Sequence, residues 1–160
     1  MSEEFHGLNQ AKAKVSSIVE LMRLQELWQD AESGDEELGQ DPELYYDPDG
    51  DPLYDPDGDP ITDEDKIREK IEELPLEFTV RSVWMNPFQG GLVPGEFQVL
   101  MCTGGPGVRI IGELGLHYEP QRVQVQYQDW FTPWTTYAFP DDESWSKVLE
   151  FCEIFTSVLE

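Results

Sequence analysis

Between Arg23 and Lys66 this chain contains no lysine and no arginine. Over its whole length there are 10 basic residues against 34 acidic ones, a formal net charge of −24. So little cationic surface argues against nucleic acid or an anionic membrane as a direct partner, because both are bound through Lys and Arg. Cysteine and histidine are equally scarce, at two residues each. Cys102 and Cys152 sit in apolar-patterned segments and read as buried thiols rather than a disulfide. Two Cys and two His, widely scattered, do not make a zinc centre. No window approaches the ~18–20 apolar residues of a membrane-spanning helix. The Met1-Ser2-Glu3-Glu4 start lacks the basic and apolar regions of a signal peptide. The expectation is a soluble, cytoplasmic protein, in the host cytoplasm if a phage encodes it.

What is present is enough to fold. Apolar residues make up 39% of the chain, with five Trp, six Tyr and eight Phe. A chain this acidic but this aromatic can still bury a core. At 160 residues it is expected to be one domain, 1–160.

The basic-free stretch carries 17 Asp and Glu, and within it an octapeptide occurs twice in tandem. Tyr46-Asp47-Pro48-Asp49-Gly50-Asp51-Pro52-Leu53 is followed by Tyr54-Asp55-Pro56-Asp57-Gly58-Asp59-Pro60-Ile61. Alternating Pro and Gly bar helix and central strand. Residues 33–62 therefore read as an acidic, extended or turn-rich insertion between two helices.

The flanking chain is patterned. Asn9 is a candidate N-cap for a helix reaching Glu32, with Val15, Ile18, Leu21, Met22, Gln25 and Trp28 at helical spacing. Thr62 opens a second helix, whose face is Ile67, Ile71 and Leu74 and which Pro75 ends. From Leu76 the period becomes two. Leu76, Phe78, Val80 and Trp84 mark one strand, then Phe97, Val99 and Met101, then Val108, Ile110 and Leu114. Val123, Val125 and Tyr127 mark a fourth, with Gln124, Gln126 and Gln128 on its other face. Pro140 and Asp141 start a last helix with an apolar stripe of Trp145, Val148, Leu149, Cys152, Phe155 and Leu159. The fold class is α+β: a four-stranded antiparallel meander with N-terminal helices and a C-terminal amphipathic helix. Meander and last helix together occupy 76–160.

Several chemistries can be weighed on these residues. Asp47, Asp49, Asp51 and Asp55 fall at positions one, three, five and nine of a notional calcium loop. The glycine sits at position four instead of six, and Gly58 stands where a bidentate Glu belongs. The four are thus weak metal ligands at most, and no cofactor is expected. Gly104-Gly105-Pro106-Gly107 lacks the Lys-Ser/Thr of a phosphate loop and reads as a hairpin turn. Cys102, His117 and Asp129 are the residues a thiol nucleophile would need, without any local signature. Catalysis is not expected. The strongest pattern is the carboxylate array. In an extended chain Asp47, Asp49 and Asp51 are ~6–7 Å apart, the scale of successive backbone phosphates. Proline stiffens the array and lowers the entropy lost on docking. Asp47, Asp49, Asp51, Asp55, Asp57, Asp59, Asp63, Glu64 and Asp65 are the candidate electrostatic contacts to a partner. Tyr46, Tyr54, Trp130 and Trp134 are the candidate aromatic ones. A solvated spacer competes with the first reading, and core packing competes with the last.

The segments Cys102-Thr103-Gly104-Gly105-Pro106, Val108-Arg109-Ile110 and Gly112-Glu113-Leu114 stand before Gln128-Asp129-Trp130 and Thr132-Pro133-Trp134-Thr135. Together with Val80-Arg81-Ser82 and Trp84, this pattern resembles a family of small proteins from bacteriophages, prophages and mobile elements. It covers about the C-terminal half, and the tandem repeat lies outside it. The resemblance implies a phage-type origin and carries over no functional residues. Joined to the acidity, it leads to the expectation of a DNA-mimic-like inhibitor of a host nucleic-acid-binding defence protein, of restriction or CRISPR type. The partner would be a basic protein surface. The alternative is a calcium- or divalent-cation-binding accessory protein; a small enzyme using Cys102 or Asp129 is the third reading.

Overall fold

The computed structural model describes residues 6–32, 54, 57–61, 64–91, 93–104, 106–130 and 132–159. In chain order these form α1 (His6–Glu32), α2 (Glu64–Glu73), β1 (Glu77–Ser82), β2 (Pro94–Cys102), β3 (Gly107–Leu114), β4 (Pro120–Gln128), β5 (Thr135–Thr136) and α3 (Asp142–Thr156). A 3-10 turn at Ser157–Leu159 follows. The protein is α+β, with an open antiparallel sheet in the order β1-β2-β3-β4-β5.

Five strands replace the expected four. The extra one, β5, is only two residues long and pairs Gln126 with Thr136 and Tyr127 with Thr135. Two residues cannot display a period, so no alternation announces it. Other boundaries move as well. α1 begins at His6, so Asn9 lies inside the helix and does not cap it. Trp84 is not part of β1; it lies beyond the strand's last residue and is fully exposed.

The chain divides into two compact units. One comprises residues 1–16 and 75–160, the other residues 17–74, and the division falls inside α1. In the sheet unit, period-two chemistry puts Phe97, Val99, Met101, Val108, Ile110, Val123 and Val125 on one buried face. Helix α3 covers that face: the Phe155 ring lies 5.0 Å from Phe151 and 6.0 Å from Phe78, which in turn lies 6.4 Å from Phe97. Phe151, Val148 and Cys152 are fully buried. Trp145, expected in the apolar stripe, is exposed. Asp141 caps α3, accepting from the Ser144 N–H at 2.7 Å, and Asp142 and Glu143 suit the positive end of the helix dipole.

The alternation is broken at one place that matters later. Between Ile111 and Glu113 the β3–β4 register slips, and Gln121 and Gln124 stand opposite residues only two apart. Arg122 takes up the extra length with a left-handed φ of 50°. The bulge restores Val123 and Val125 to the core and leaves Gln121 and Arg122 both outside. Gly112 is needed opposite it, because a Cβ there would lie 2.6 Å from the Phe97 ring and 3.0 Å from the Gln121 carbonyl.

The second unit has its own apolar set. Ile18, Leu21, Met22 and Trp28 of α1 are buried, as are Ile67 and Ile71 of α2, at the helical spacings read from the sequence; Val19 and Leu24 join them, whereas Leu74 lies beyond the end of α2 and is half-buried. No helix among the described residues is long and apolar enough to cross a membrane.

Candidate functional site

Much of the tandem repeat lies outside the described residues, namely Tyr46, Asp47, Asp49, Asp51 and Asp55, and so does Asp63. The metal-ligand expectation for Asp47, Asp49, Asp51 and Asp55 falls entirely there. Among the described residues, no three His, Cys, Asp or Glu side chains group so as to hold a metal ion.

The described part of the second repeat forms a turn. Tyr54 makes an antiparallel bridge to Pro60. Gly58 between them adopts φ +87°, a conformation that L side chains rarely take. Asp57 pairs with Lys70 of α2. Ile61, the last residue of the repeat, is 1% exposed. Burying an isoleucine contributes about 1.5–3 kcal/mol, so this end of the repeat is anchored in its unit. Asp57, Asp59 and Asp65 remain at the surface, and Tyr54 is half exposed. The helical position of Glu64 is described, without its side chain.

Charge is divided unequally between the two units. Residues 17–74 hold 21 acidic and four basic residues, a formal −17. The remaining 102 residues hold 13 acidic and six basic ones, a formal −7.

The thiol reading fails on geometry. Cys102 stands opposite Val108 at the start of β3, whereas His117 lies in the turn after Leu114, at the far end of that strand. Six residue steps of strand separate those ends by about 20 Å. In that turn the His117 backbone N–H donates to Glu119 Oε2 at 2.8 Å. Asp129 is committed elsewhere: its Oδ1 accepts from the Gly7 N–H at 2.7 Å and so caps the first turn of α1. Both cysteines are free, and burial pushes the Cys152 thiol well above its ordinary pKa, with the nearby Glu153 charge adding to the effect.

The Gln128–Thr132 segment is a turn that holds this cap in place. Gln128 Nε2 donates to the Thr132 carbonyl at 2.9 Å, and the Asp129 N–H donates to Thr132 Oγ1 at 3.0 Å. Trp130 occupies the turn and is 67% exposed, whereas Trp134 is half-buried. The two candidate aromatics therefore part company: Trp130 is exposed, and Trp134 packs.

Trp134 packs under an arginine that the sequence reading did not single out. The Arg109 guanidinium carbon lies 4.2 Å from the centroid of its ring. Arg109 Nε donates to Gln126 Oε1 at 2.9 Å, and Nη1 to Gln98 Oε1 at 3.2 Å. Desolvation lowers the pKa of Arg109. It lies on the sheet face opposite the apolar core, where a second row of charges crosses four strands. Arg81 pairs with Glu96, Glu96 stands opposite Glu113, and Glu113 pairs with Arg122 at 3.3 Å. Like charges facing one another across strands are unfavourable, and the outer arginines offset this. An open groove of about 580 Å³ runs over this face, lined by Arg81, Glu96, Gln98, Arg109, Arg122 and Gln124 among others. A period of two places these residues outward. The sequence signal was the polar face already visible at Gln124, Gln126 and Gln128; the link from Arg109 to a tryptophan beyond the next strand was not readable locally. The chain matches no protein-family model, no curated protein and no solved structure.

Proposed function

We propose that this protein works by binding, as an acidic inhibitor that occupies the cationic groove of a nucleic-acid-binding protein. The observation that carries the reading is the concentration of charge: −17 within the 58 residues of one compact unit, from 21 acidic and four basic residues. A solubilising excess of acid need not be gathered in this way, whereas a carboxylate surface that replaces phosphates must be dense. Asp57 and Asp59, on a turn anchored at Ile61, and Asp65, in the first turn of α2, belong to this surface. Tyr54, half exposed, is an aromatic that the same unit offers to the partner. The resemblance of the C-terminal half to phage and mobile-element proteins favours a host defence component, of restriction or CRISPR type, as the target. The reading involves no catalysis by the chain.

The test is a full-length variant with Asp47, Asp49, Asp51, Asp55 and Asp59 changed to Asn. Asp57 is kept because it pairs with Lys70. Circular dichroism should match the wild type. Salt-sensitive capture of basic nucleic-acid-binding proteins from a bacterial lysate should disappear. Equal capture by the variant would overturn the proposal.

A further inference from the structure

The acidic unit leaves the open face of the sheet unexplained. That face gathers three of the six basic residues found outside residues 17–74: Arg81 on β1, Arg109 on β3 and Arg122 on β4. Two of them are neutralised by Glu96 and Glu113. Arg109 has no carboxylate partner among the described residues; its partners are two neutral amides and an indole. A guanidinium has five N–H donors. Two are used, on Gln126 and Gln98, which leaves three for a ligand.

We propose that the groove over this face is a carboxylate-binding site centred on Arg109. The amides and the Trp134 ring fix the plane of the guanidinium before any ligand arrives, so little side-chain freedom is lost on binding. The remaining donors suit bidentate pairing with a planar oxyanion. Charge selects among oxyanions. Three arginines against two glutamates leave the groove lining at +1, which matches a monocarboxylate better than a phosphate dianion. Size selects further: about 580 Å³ lies within the usual range of ligand pockets and exceeds the needs of a bare anion. Gln98 and Gln124 supply further donors and acceptors, and Ile111 an apolar contact, for the body of the ligand. Arg122 lines the groove from a left-handed backbone, and strain of this kind concentrates at ligand sites. The protein's overall negative charge opposes this only weakly, since charges beyond a Debye length of about 8 Å are screened at physiological salt. The ligand is thus a monocarboxylic acid, free or as the C-terminus of a peptide.

The experiment is a titration of the full chain at constant ionic strength, followed by NMR at the Arg109 Nε–H and the Trp134 indole N–H. The probes are butyrate, the peptide acetyl-Gly-Gly-Ala with a free carboxylate, its C-terminal amide, and inorganic phosphate. The inference predicts saturable shifts at both resonances with butyrate or the free peptide, and none with the amide. A preference for the peptide over butyrate assigns the carboxylate to a chain terminus; the reverse assigns it to a small acid. Binding should weaken about tenfold or more in Arg109→Gln, the loss of a charge-assisted pair. Gln98→Glu, nearly isosteric, should abolish it by placing a carboxylate on Arg109 from within. No saturable shift with either carboxylate, tighter binding of phosphate, or unchanged binding in Gln98→Glu would each overturn the inference.

Discussion

Asp129→Ala should loosen the start of α1. The carboxylate reaches across 122 residues of sequence to accept the Gly7 N–H at 2.7 Å. A hydrogen bond to a charged group contributes about 1.5–3 kcal/mol. The negative charge at a helix N-terminus adds about 0.3–1 kcal/mol. Partial exposure places the sum at the lower end, so the expected loss is about 1.5–2 kcal/mol. For a chain of this size each kcal/mol lowers Tm by about 2–4 °C, which gives a drop of about 3–8 °C. Ala11 and Val15, one and two turns further on, are buried, so the damage should extend to the sheet unit. Thermal denaturation reads the total, and amide exchange at Gly7 and Leu8 localises it. Asp129→Asn keeps an acceptor and should cost about 0.5 kcal/mol. The reasoning fails if Asp129→Ala lies within about 0.3 kcal/mol of wild type, or if Asn is as damaging as Ala.

Two further predictions concern the core. Gly112→Ala should destabilise by about 1–3 kcal/mol in urea denaturation, because the new methyl meets the Phe97 ring and the rigid Gln121 carbonyl. Wild-type stability from Gly112→Ala would mean that the bulge is not packed as described. The Cys152 thiol should resist a disulfide-exchange reagent until the protein unfolds, while the half-buried Cys102 reacts in the native state. The folded-state pKa of Cys152 is raised, so the contribution of this thiol to stability is complete below the unfolded thiol value of about 8.5 and is lost as pH climbs above that. In Cys152→Ala, stability should fall less between about pH 8.5 and 10 than in the wild type. An unchanged slope would remove this thiol from the alkaline transition.

The elements legible in the sequence are those whose burial repeats. β2 and the second half of β4 read directly, because Phe97, Val99 and Met101, and then Val123 and Val125, alternate with polar residues. The buried face of α1 was equally plain. Sequence reasoning failed where the deciding partner is remote. Asp129 read as a possible partner of a thiol nucleophile because Gly7, which it caps, lies at the other end of the chain. Trp84 looked like a strand residue because it continued a period that the chain abandons at Ser82. Arg109 was legible only as part of the Val108-Arg109-Ile110 segment, because its neighbours Gln98, Gln126 and Trp134 are brought together by strand pairing and by the turn beyond β4. At the candidate site, the density of carboxylate was visible at once. The turn that fixes Asp57 and Asp59 was not, since it depends on Lys70 in a helix and on the burial of Ile61.

The central claim is that the acidic unit occupies a nucleic-acid groove, and competition tests it most directly. A basic nucleic-acid-binding protein captured from a bacterial lysate by the tagged full-length chain would be purified and challenged with duplex DNA at physiological salt. The account predicts that DNA displaces it, that the displacement is mutual, and that the Asp→Asn variant neither binds nor competes. A captured protein that holds DNA and this chain at the same time would contradict it.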